Sequence, residues 1–153
     1  MFQNKRLYLY KTKRFMAKDL YHDAVRKALE ADGWTITDDP YYLKAKPHIL
    51  RVDLGAERVI AAEKGIDKIA VEIKTFAKDS FIYEFYEVSG QYQFYEEFLA
   101  EQERERILYL AISEVIYKAR FLRDESVMKM CQKIGIKFIV VNISSQTIKE
   151  WKR

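Results

Sequence analysis

Apolar residues recur at spacings of three and four in three parts of the chain, and each part predicts a helix. The first covers residues 16–32, with Asp19 able to cap its start. The second covers residues 79–103, and the third covers residues 114–134 with a break near 122–124. Residues at these spacings share one face of a helix, which suits packing against a core. On the first helix, that face consists of Leu20, Tyr21, Ala24, Val25, Ala28 and Leu29.

Shorter apolar runs between these helices predict strands. A turn at residues 64–67 would join two of them into a central hairpin, and the basic, aromatic segment 41–48 predicts a loop or an irregular hairpin. The order is helix, three strands, helix, strand, helix, two strands, which predicts an α/β fold with a mixed sheet. The predicted strands are residues 34–37, 50–63, 68–75, 107–112, 137–143 and 146–151.

Length and composition restrict the class of protein. With 153 residues, 49% of them apolar, the chain is expected to form a single domain with its own core. One cysteine, Cys131, excludes an internal disulfide, and two histidines exclude zinc-finger spacing. Neither a membrane-spanning run nor a secretory signal is found. We therefore expect a cytoplasmic protein with no membrane partner.

The positive net charge of +4 comes from one end of the chain. Residues 1–15 carry five basic residues and no acidic one, so residues 16–153 are nearly neutral. We interpret residues 1–15 as a basic leader, non-native or disordered, with Met16 as the natural start, and residues 16–153 as one domain. The alternative for the leader is a nucleic-acid-binding arm. A neutral body does not by itself indicate a nucleic-acid binder.

The central hairpin carries the candidate chemistry. On its second strand, Glu72 and Lys74 are two positions apart and therefore share a face. Asp53, at the head of the first strand, is expected to reach that face. Two carboxylates suit Mg²⁺ or Mn²⁺, and the backbone carbonyl of Ile73 could add a ligand. Lys74 would orient or activate a water molecule and offset negative charge on a phosphate.

Other polar residues are weaker candidates. Gln91 projects from the second predicted helix beside the hairpin, where its amide could reach a phosphate or a water molecule. His22 and Asp23 could supply a further ligand, or they could belong to an ordinary surface face of the first helix. Glu57 and Glu63 stay open as ligands. The acid-x-base pattern itself is also typical of a solvated strand face.

The helix at 79–103 carries more aromatic residues than one buried stripe needs. These rings favour a core or a partner interface over a surface that stacks nucleic-acid bases. A homodimer is therefore one expected arrangement.

Several blocks of the sequence resemble the XisH family, and together they span about residues 16–152. The blocks are Met16–Val25, Asp32–Thr37, Val52–Glu57, Ala61–Lys64, Ile69–Lys74, Gly90–Tyr92 and Arg106–Ala111. The resemblance implies an excision-controlling factor for the fdxN element, which acts on DNA beside a site-specific recombinase and a small XisI-like companion protein. It also implies a restriction-endonuclease-like fold of the PD-(D/E)xK kind, with a mixed β-sheet flanked by helices.

The resemblance assigns roles to four residues. Asp53 matches the first metal carboxylate of that superfamily, Glu72 the second, and Lys74 the catalytic lysine. Gln91 matches the helix glutamine of Holliday-junction-resolvase-like members. Val52 stands where the superfamily motif has a proline.

The acid that the superfamily carries on its first helix has no clean counterpart, since His22 and Asp23 straddle its place. Two functions follow from these matches and departures. One is a magnesium-dependent endodeoxyribonuclease that hydrolyses or nicks DNA. The other is a non-catalytic regulatory protein that binds a recombinase, an XisI-like companion or DNA.

Overall fold

The chain forms a helix, five strands, a second helix, a strand, a broken third helix and two final strands. The structure, a computed structural model, describes the backbone at residues 2–60 and 65–153, and the side chains there except those of residues 2–4, 8, 10–16 and 60. The elements are α1 Phe2–Ala31, β1 Thr35–Asp38, β2 Tyr41–Ala45, β3 His48–Val52, β4 Leu54–Ile60, β5 Gly65–Ile73, α2 Phe81–Gln102, β6 Arg106–Ser113, α3 Glu114–Ile116 with a π-helical turn Tyr117–Phe121, α4 Glu125–Ile134, β7 Phe138–Asn142 and β8 Thr147–Lys152.

Six strands form one mixed sheet in the order β1-β4-β5-β6-β7-β8. β5, β6 and β7 run parallel, and the remaining neighbours pair antiparallel. β2 and β3 form a separate hairpin. This arrangement confirms the predicted α/β fold with a mixed sheet flanked by helices.

The two faces of the sheet bury separate clusters, as expected for strands covered on both sides. Ile69, Val71 and Ile73 of β5 pack in the cluster that contains the buried residues of α1. Ala70 packs in the other cluster, with the buried residues of α2 and the β2–β3 hairpin. Because side chains alternate along a strand, Glu72 belongs to the α2 side.

Some predicted boundaries are wrong. The expected strand 50–63 is two strands, because the chain bends at Asp53 between β3 and β4. Helix α1 begins at Phe2, so Asp19 lies inside it and is not a cap. Leu20 is exposed, so it does not belong to the buried apolar face of that helix. Residues Gly65–Asp67 of the expected turn belong to β5, and the rest of the turn lies outside the described residues.

The predicted break in the third helix is confirmed. Leu122–Asp124 separate the π-helical turn from α4, where the Asp124 carboxylate accepts a hydrogen bond from the Val127 N–H at 3.0 Å. This side-chain cap satisfies one of the amides that a helix start leaves free. Gly135, with φ of +81°, ends α4 in the left-handed conformation that glycine adopts without strain.

Gly55 of β4 lies opposite Asp38 of β1. A Cβ atom at this position would be 2.9 Å from Asp38 Oδ2 and 3.0 Å from Tyr41 Cδ2. The first distance is shorter than real Cβ contacts and the second is tighter than most of them, so the absence of a side chain at residue 55 lets β4 lie this close to Asp38 and Tyr41.

A buried arginine joins the end of α2 to the sheet and to the hairpin. Arg106 is 6% exposed, and its Nε donates to Glu103 Oε2 at 2.7 Å while its NH1 donates to the Ile69 carbonyl at 2.8 Å. Its guanidinium lies 4.6 Å from the centre of the Tyr41 ring, whose hydroxyl donates to Glu103 at 2.5 Å. These contacts fix the β2–β3 hairpin against the sheet.

Helix α2 is aromatic on both sides. Phe85, Tyr92 and Tyr95 are buried, whereas Tyr83 and Tyr86 are 69% and 58% exposed. The three buried rings confirm the expected core packing. For the two exposed rings, a role in a homodimer interface stays a prediction. Within the described ranges, no helix has both the length and the apolar character needed to cross a membrane.

We expect Glu103→Gln to lower the free energy of unfolding at pH 7 by about 1–3 kcal/mol. Hydrogen bonds from Arg106, Tyr41 and Lys68 lower the pKa of Glu103 from its ordinary value of 4.5 to about 2. A lowered pKa stabilises the fold above the ordinary value, and the contribution is lost as the pH falls toward 2. Measured by urea unfolding, the difference in the free energy of unfolding between variant and wild type should shrink as the pH falls from 7 to 2.5.

Glu101→Gln is the matched control, because Glu101 lies two residues earlier, in the last turn of α2, and is exposed. If the difference in the free energy of unfolding between Glu103→Gln and the wild type stays constant across this pH range, the assigned role of the Glu103 carboxylate is contradicted.

Candidate functional site

The end of β5 carries Glu72 and Lys74 on the side of the sheet that faces α2. Glu72 is 7% exposed, and its Oε1 lies 3.6 Å from the Lys74 Nζ. The backbone of Lys74 continues the sheet, since its N–H donates to the Ala111 carbonyl at 3.1 Å. The prediction that these side chains share a face is confirmed, but that face is covered and is not an ordinary solvated strand face.

Asp53 lies at the bend between β3 and β4. Its neighbours Val52 and Leu54 are fully buried, one in each apolar cluster, so the chain is anchored on both sides of the bend. The Asp53 Oδ2 accepts a hydrogen bond from the Ile73 N–H at 2.7 Å. This contact holds the Asp53 carboxylate beside the end of β5, next to Glu72.

The electrostatics of this pair are unfavourable without a cation. Burial raises the pKa of Glu72 well above its ordinary value, and the nearby charge of Asp53 raises it further, while Lys74 lowers it. The buried Glu72 Oε2 has no hydrogen-bond partner among the described residues. Like charges at close range repel, and a buried oxygen without a partner is costly. A bound cation would relieve both penalties.

Asp53, Glu72, Lys74 and Gln91 line one cavity of about 590 Å³. Its remaining wall comes from α1, the β1–β2 connection, β3 and α2, through Lys18, Asp19, His22, Asp39, Pro40, Arg51 and Tyr95. The structure thus brings all four predicted side chains together, while their catalytic roles stay predictions.

A second cavity of about 530 Å³ shares Lys18, Glu72, Lys74 and Gln91 with the first. Its other lining residues are Ile73, Thr75, Lys78, Glu84, Glu87 and Val88. Because the same four side chains border both spaces, the candidate site lies between two adjoining clefts.

Gln91 is held by a chain of two hydrogen bonds. Its Nε2 donates to the Tyr95 hydroxyl at 2.8 Å, and that hydroxyl donates to the Arg51 carbonyl at 3.0 Å. Burial raises the pKa of Tyr95, and the nearby charges of Glu72 and Asp53 raise it further. The Tyr95 hydroxyl is therefore a neutral group beside the carboxylates.

The structure places the weaker candidate residues in different surroundings. His22 lines the first cavity, and its Nε2 lies 2.9 Å from Asp39 Oδ1. Asp23 is exposed, with its carboxylate 3.0 Å from the Lys27 Nζ on the same helix, which matches the surface-face alternative. Glu57 points to Arg106, with an oxygen 3.4 Å from its NH2, so it is a partly exposed ion-pair partner of a buried arginine. Glu63 lies outside the described residues.

Sequence reasoning missed Lys18 as a site residue and misinterpreted Asp19. Both line the cavity beside His22, and Lys18 and His22 are four positions apart, so they share one helix face. That spacing could have indicated a polar face directed at the site. Asp39 and Arg51 could not be found in this way, because only the folded chain brings their loops and strands to the cavity.

The donor set suits a hard divalent cation. Among the described residues, no three His, Cys, Asp or Glu side chains are grouped as metal ligands. Asp53, Glu72 and the Ile73 carbonyl together offer oxygen atoms, with open space beside them. Mg²⁺ is bound in this manner in many sites, through one or two carboxylates, water and substrate phosphate. Glu72 Oε2, buried without a partner, fits this interpretation.

Comparison with known proteins gives two solved structures of similar fold. One is an XisH family protein from Nostoc punctiforme PCC 73102, 33% identical, with a TM-score of 0.78 over 88% of this chain and 99% of that chain. The other is a fdxN element excision controlling factor protein from Anabaena variabilis, 34% identical, with the same TM-score of 0.78 and the same coverage of 88% and 99%.

No curated protein gives a significant match to the sequence. The family model described as XisH protein matches residues 15–149, which include every element from the second half of α1 to the start of β8. The match also includes Asp53, Glu72, Lys74 and Gln91. The chain belongs to the XisH family.

Proposed function

We propose that this protein is an excision-controlling factor that hydrolyses or nicks DNA with Mg²⁺ or Mn²⁺, through a site of the PD-(D/E)xK kind. The observation that carries the proposal is the buried, unpartnered oxygen of Glu72 beside a second carboxylate. The name of the Anabaena variabilis structure supports the role in excision. The superfamily is supported by Asp53, Glu72 and Lys74 meeting at the end of one strand.

Asp53, Glu72 and the Ile73 carbonyl would hold the cation. When bound, a divalent cation supplies positive charge that polarises a phosphate and lowers the pKa of a water molecule. The hydrogen bond from Ile73 to Asp53 keeps one ligand in place before binding. Such preorganisation reduces what binding must rearrange.

Lys74 is the residue best placed to act on the phosphate and the attacking water. It is about one quarter exposed, and its ammonium lies 3.6 Å from Glu72, so it can reach the cavity while staying paired. An ammonium there stabilises negative charge that develops on a phosphate and orients a water molecule by hydrogen bonding. Gln91, on the opposite helix, supplies an amide to the same space.

The first cavity offers basic side chains to a polyanionic substrate, beside four carboxylates. Lys18, Arg51 and Lys74 all line the first cavity, although the domain as a whole is nearly neutral. Local basic residues, rather than net charge, would then bind the phosphates on both sides of the scissile bond.

We expect Asp53→Asn and Glu72→Gln each to reduce nicking of supercoiled DNA by about a hundredfold or more, since each removes a charged ligand. Lys74→Ala should reduce it similarly. The rate is measured as the conversion of supercoiled to relaxed plasmid in about 5 mM Mg²⁺ or Mn²⁺.

The control is Asp23→Asn, which neutralises a carboxylate on exposed α1 surface. Nicking that survives both Asp53→Asn and Glu72→Gln would exclude this site.

In metal-free buffer at pH 7, Glu72→Gln is expected to stabilise the fold by about 1 kcal/mol, or about 3 °C in Tm. A raised pKa means that ionisation is unfavourable in the folded state, so the stability loss of the wild type develops as the pH rises. The gain should therefore shrink at lower pH. Thermal unfolding with and without Mn²⁺ should also show that the cation raises the Tm of the wild type alone.

Glu84→Gln is the matched variant, because Glu84 is 6% exposed but accepts a hydrogen bond from the Lys78 N–H at 3.3 Å. It should not stabilise the protein. If Glu72→Gln is destabilising at pH 7, the Glu72 carboxylate is better satisfied than we infer.

The second candidate function is a regulatory protein that binds a recombinase, an XisI-like companion or DNA without cutting. The exposed aromatic surface of α2, which consists of Tyr83, Tyr86 and Phe94, favours it. Tyr83 and Tyr86 pack edge to face, with ring centres 5.7 Å apart. Exposed rings grouped in this way are typical of protein interfaces.

The double variant Tyr83→Ala/Tyr86→Ala should weaken binding of an XisI-like companion by at least about tenfold, because aromatic anchors dominate interface energies. Calorimetric titration of one purified protein with the other measures the change. Tyr42→Ala is the control, since Tyr42 is equally exposed, at 61%, but lies on β2. Unchanged affinity in the double variant would exclude this surface as the companion's site.

A further inference from the structure

The Tyr95 hydroxyl lies between the candidate site and the β2–β3 hairpin. Tyr95 is 6% exposed and lies one helical turn after Gln91 on α2. Its oxygen is 3.0 Å from the Arg51 carbonyl oxygen and 2.8 Å from the Gln91 side-chain amide. The hydroxyl is thus a link between a backbone group of β3 and a side chain of the site.

The hydrogen-bond directions in this chain are determined by the carbonyl. A backbone carbonyl can only accept, so the single proton of the Tyr95 hydroxyl must be donated to Arg51. The hydroxyl oxygen then has only acceptor capacity left for Gln91. The Gln91 amide must therefore present its NH₂ group to Tyr95, with its oxygen turned away. A flipped amide would place two acceptors against each other.

We infer that Tyr95 is a positioning residue, which holds Gln91 with its amide oxygen toward the cavity that Glu72 and Lys74 line. This inference rests on the proposed function for its chemical meaning. An amide oxygen binds hydrogen-bond donors, and a phosphate oxygen is an acceptor. The Gln91 oxygen therefore takes the attacking water or the Lys74 ammonium as its partner, while the second N–H of the amide stays a donor.

Tyr92 provides a matched comparison on the same helix. It is 2% exposed, its hydroxyl donates to the Leu108 carbonyl at 2.8 Å, and it accepts from the Lys137 N–H at 3.1 Å. Tyr92→Phe and Tyr95→Phe each remove one buried hydroxyl that links a carbonyl to an N–H donor. The free energy of unfolding should therefore fall by a similar amount in the two variants, whereas only Tyr95→Phe should release Gln91.

The positioning is tested by side-chain amide NMR of the full ¹⁵N-labelled chain. The NH₂ pair of Gln91 is assigned by its absence in Gln91→Glu. We expect Tyr95→Phe to shift this pair and to speed its exchange with solvent, because the acceptor is lost, whereas Tyr92→Phe leaves it unchanged. Gln91 signals that do not change in Tyr95→Phe, or that change equally in Tyr92→Phe, would overturn the inference.

The hydrogen-bond partner of the Gln91 oxygen is tested by the kinetics of nicking of supercoiled DNA with Mn²⁺. Tyr95→Phe is expected to lower kcat by about tenfold with little change in KM, since a less well-oriented amide serves the attacking water and not DNA binding. A raised KM with unchanged kcat would show that Gln91 contacts phosphate. If the wild type does not cut DNA, the proposed function fails while the NMR result still decides the role of Tyr95.

Discussion

The hydrogen bond from the Ile73 amide to Asp53 is the constraint on which the candidate site depends. It joins the bend between β3 and β4 to the last residue of β5, and it occupies a carboxylate oxygen that would otherwise turn to solvent. Burial of Val52 and Leu54 on opposite faces of the sheet prevents the bend from relaxing. The Asp53 carboxylate is consequently held beside Glu72 even though the two charges repel, and folding energy from the core maintains that unfavourable contact.

The Glu103 carboxylate, which is partly buried, has the opposite electrostatic balance from that of Glu72. At the end of α2, Glu103 faces Arg106, Lys68 and the Tyr41 hydroxyl, and its pKa is lowered to about 2. Near the end of β5, burial raises the pKa of Glu72, and the neighbouring Asp53 raises it further. The first group is internally satisfied and stabilises the sheet. The second is not, and this difference distinguishes a candidate binding site from structural ion pairing.

The sequence reveals those parts of the site that depend on local periodicity. Glu72 and Lys74 share a strand face, and Gln91 lies beside the buried stripe of α2, as their spacings predict. The bend at Asp53 is not visible in this way, because its flanking residues are apolar and read as one continuous strand. The wall from α1 and the role of Glu57 depend on contacts between distant segments, which no local pattern contains. Asp19, with cap-like chemistry at a predicted boundary, shows how a misplaced helix start hides a residue that faces the cavity.

The close approach of β4 to the β1–β2 connection affects the dimensions of the site. Gly55 leaves room for Asp38 and Tyr41, and the next residues after Asp38 are Asp39 and Pro40, which form part of the cavity wall. A methyl group at residue 55 would require the Asp38 and Tyr41 side chains to shift, on either side of the residues that hold the Asp39 carboxylate beside His22 and Arg26. A missing side chain two residues from Asp53 thus lets β4 lie close to the strands that flank this part of the cavity wall, so the same short segment supplies an acidic group and makes room for its surroundings.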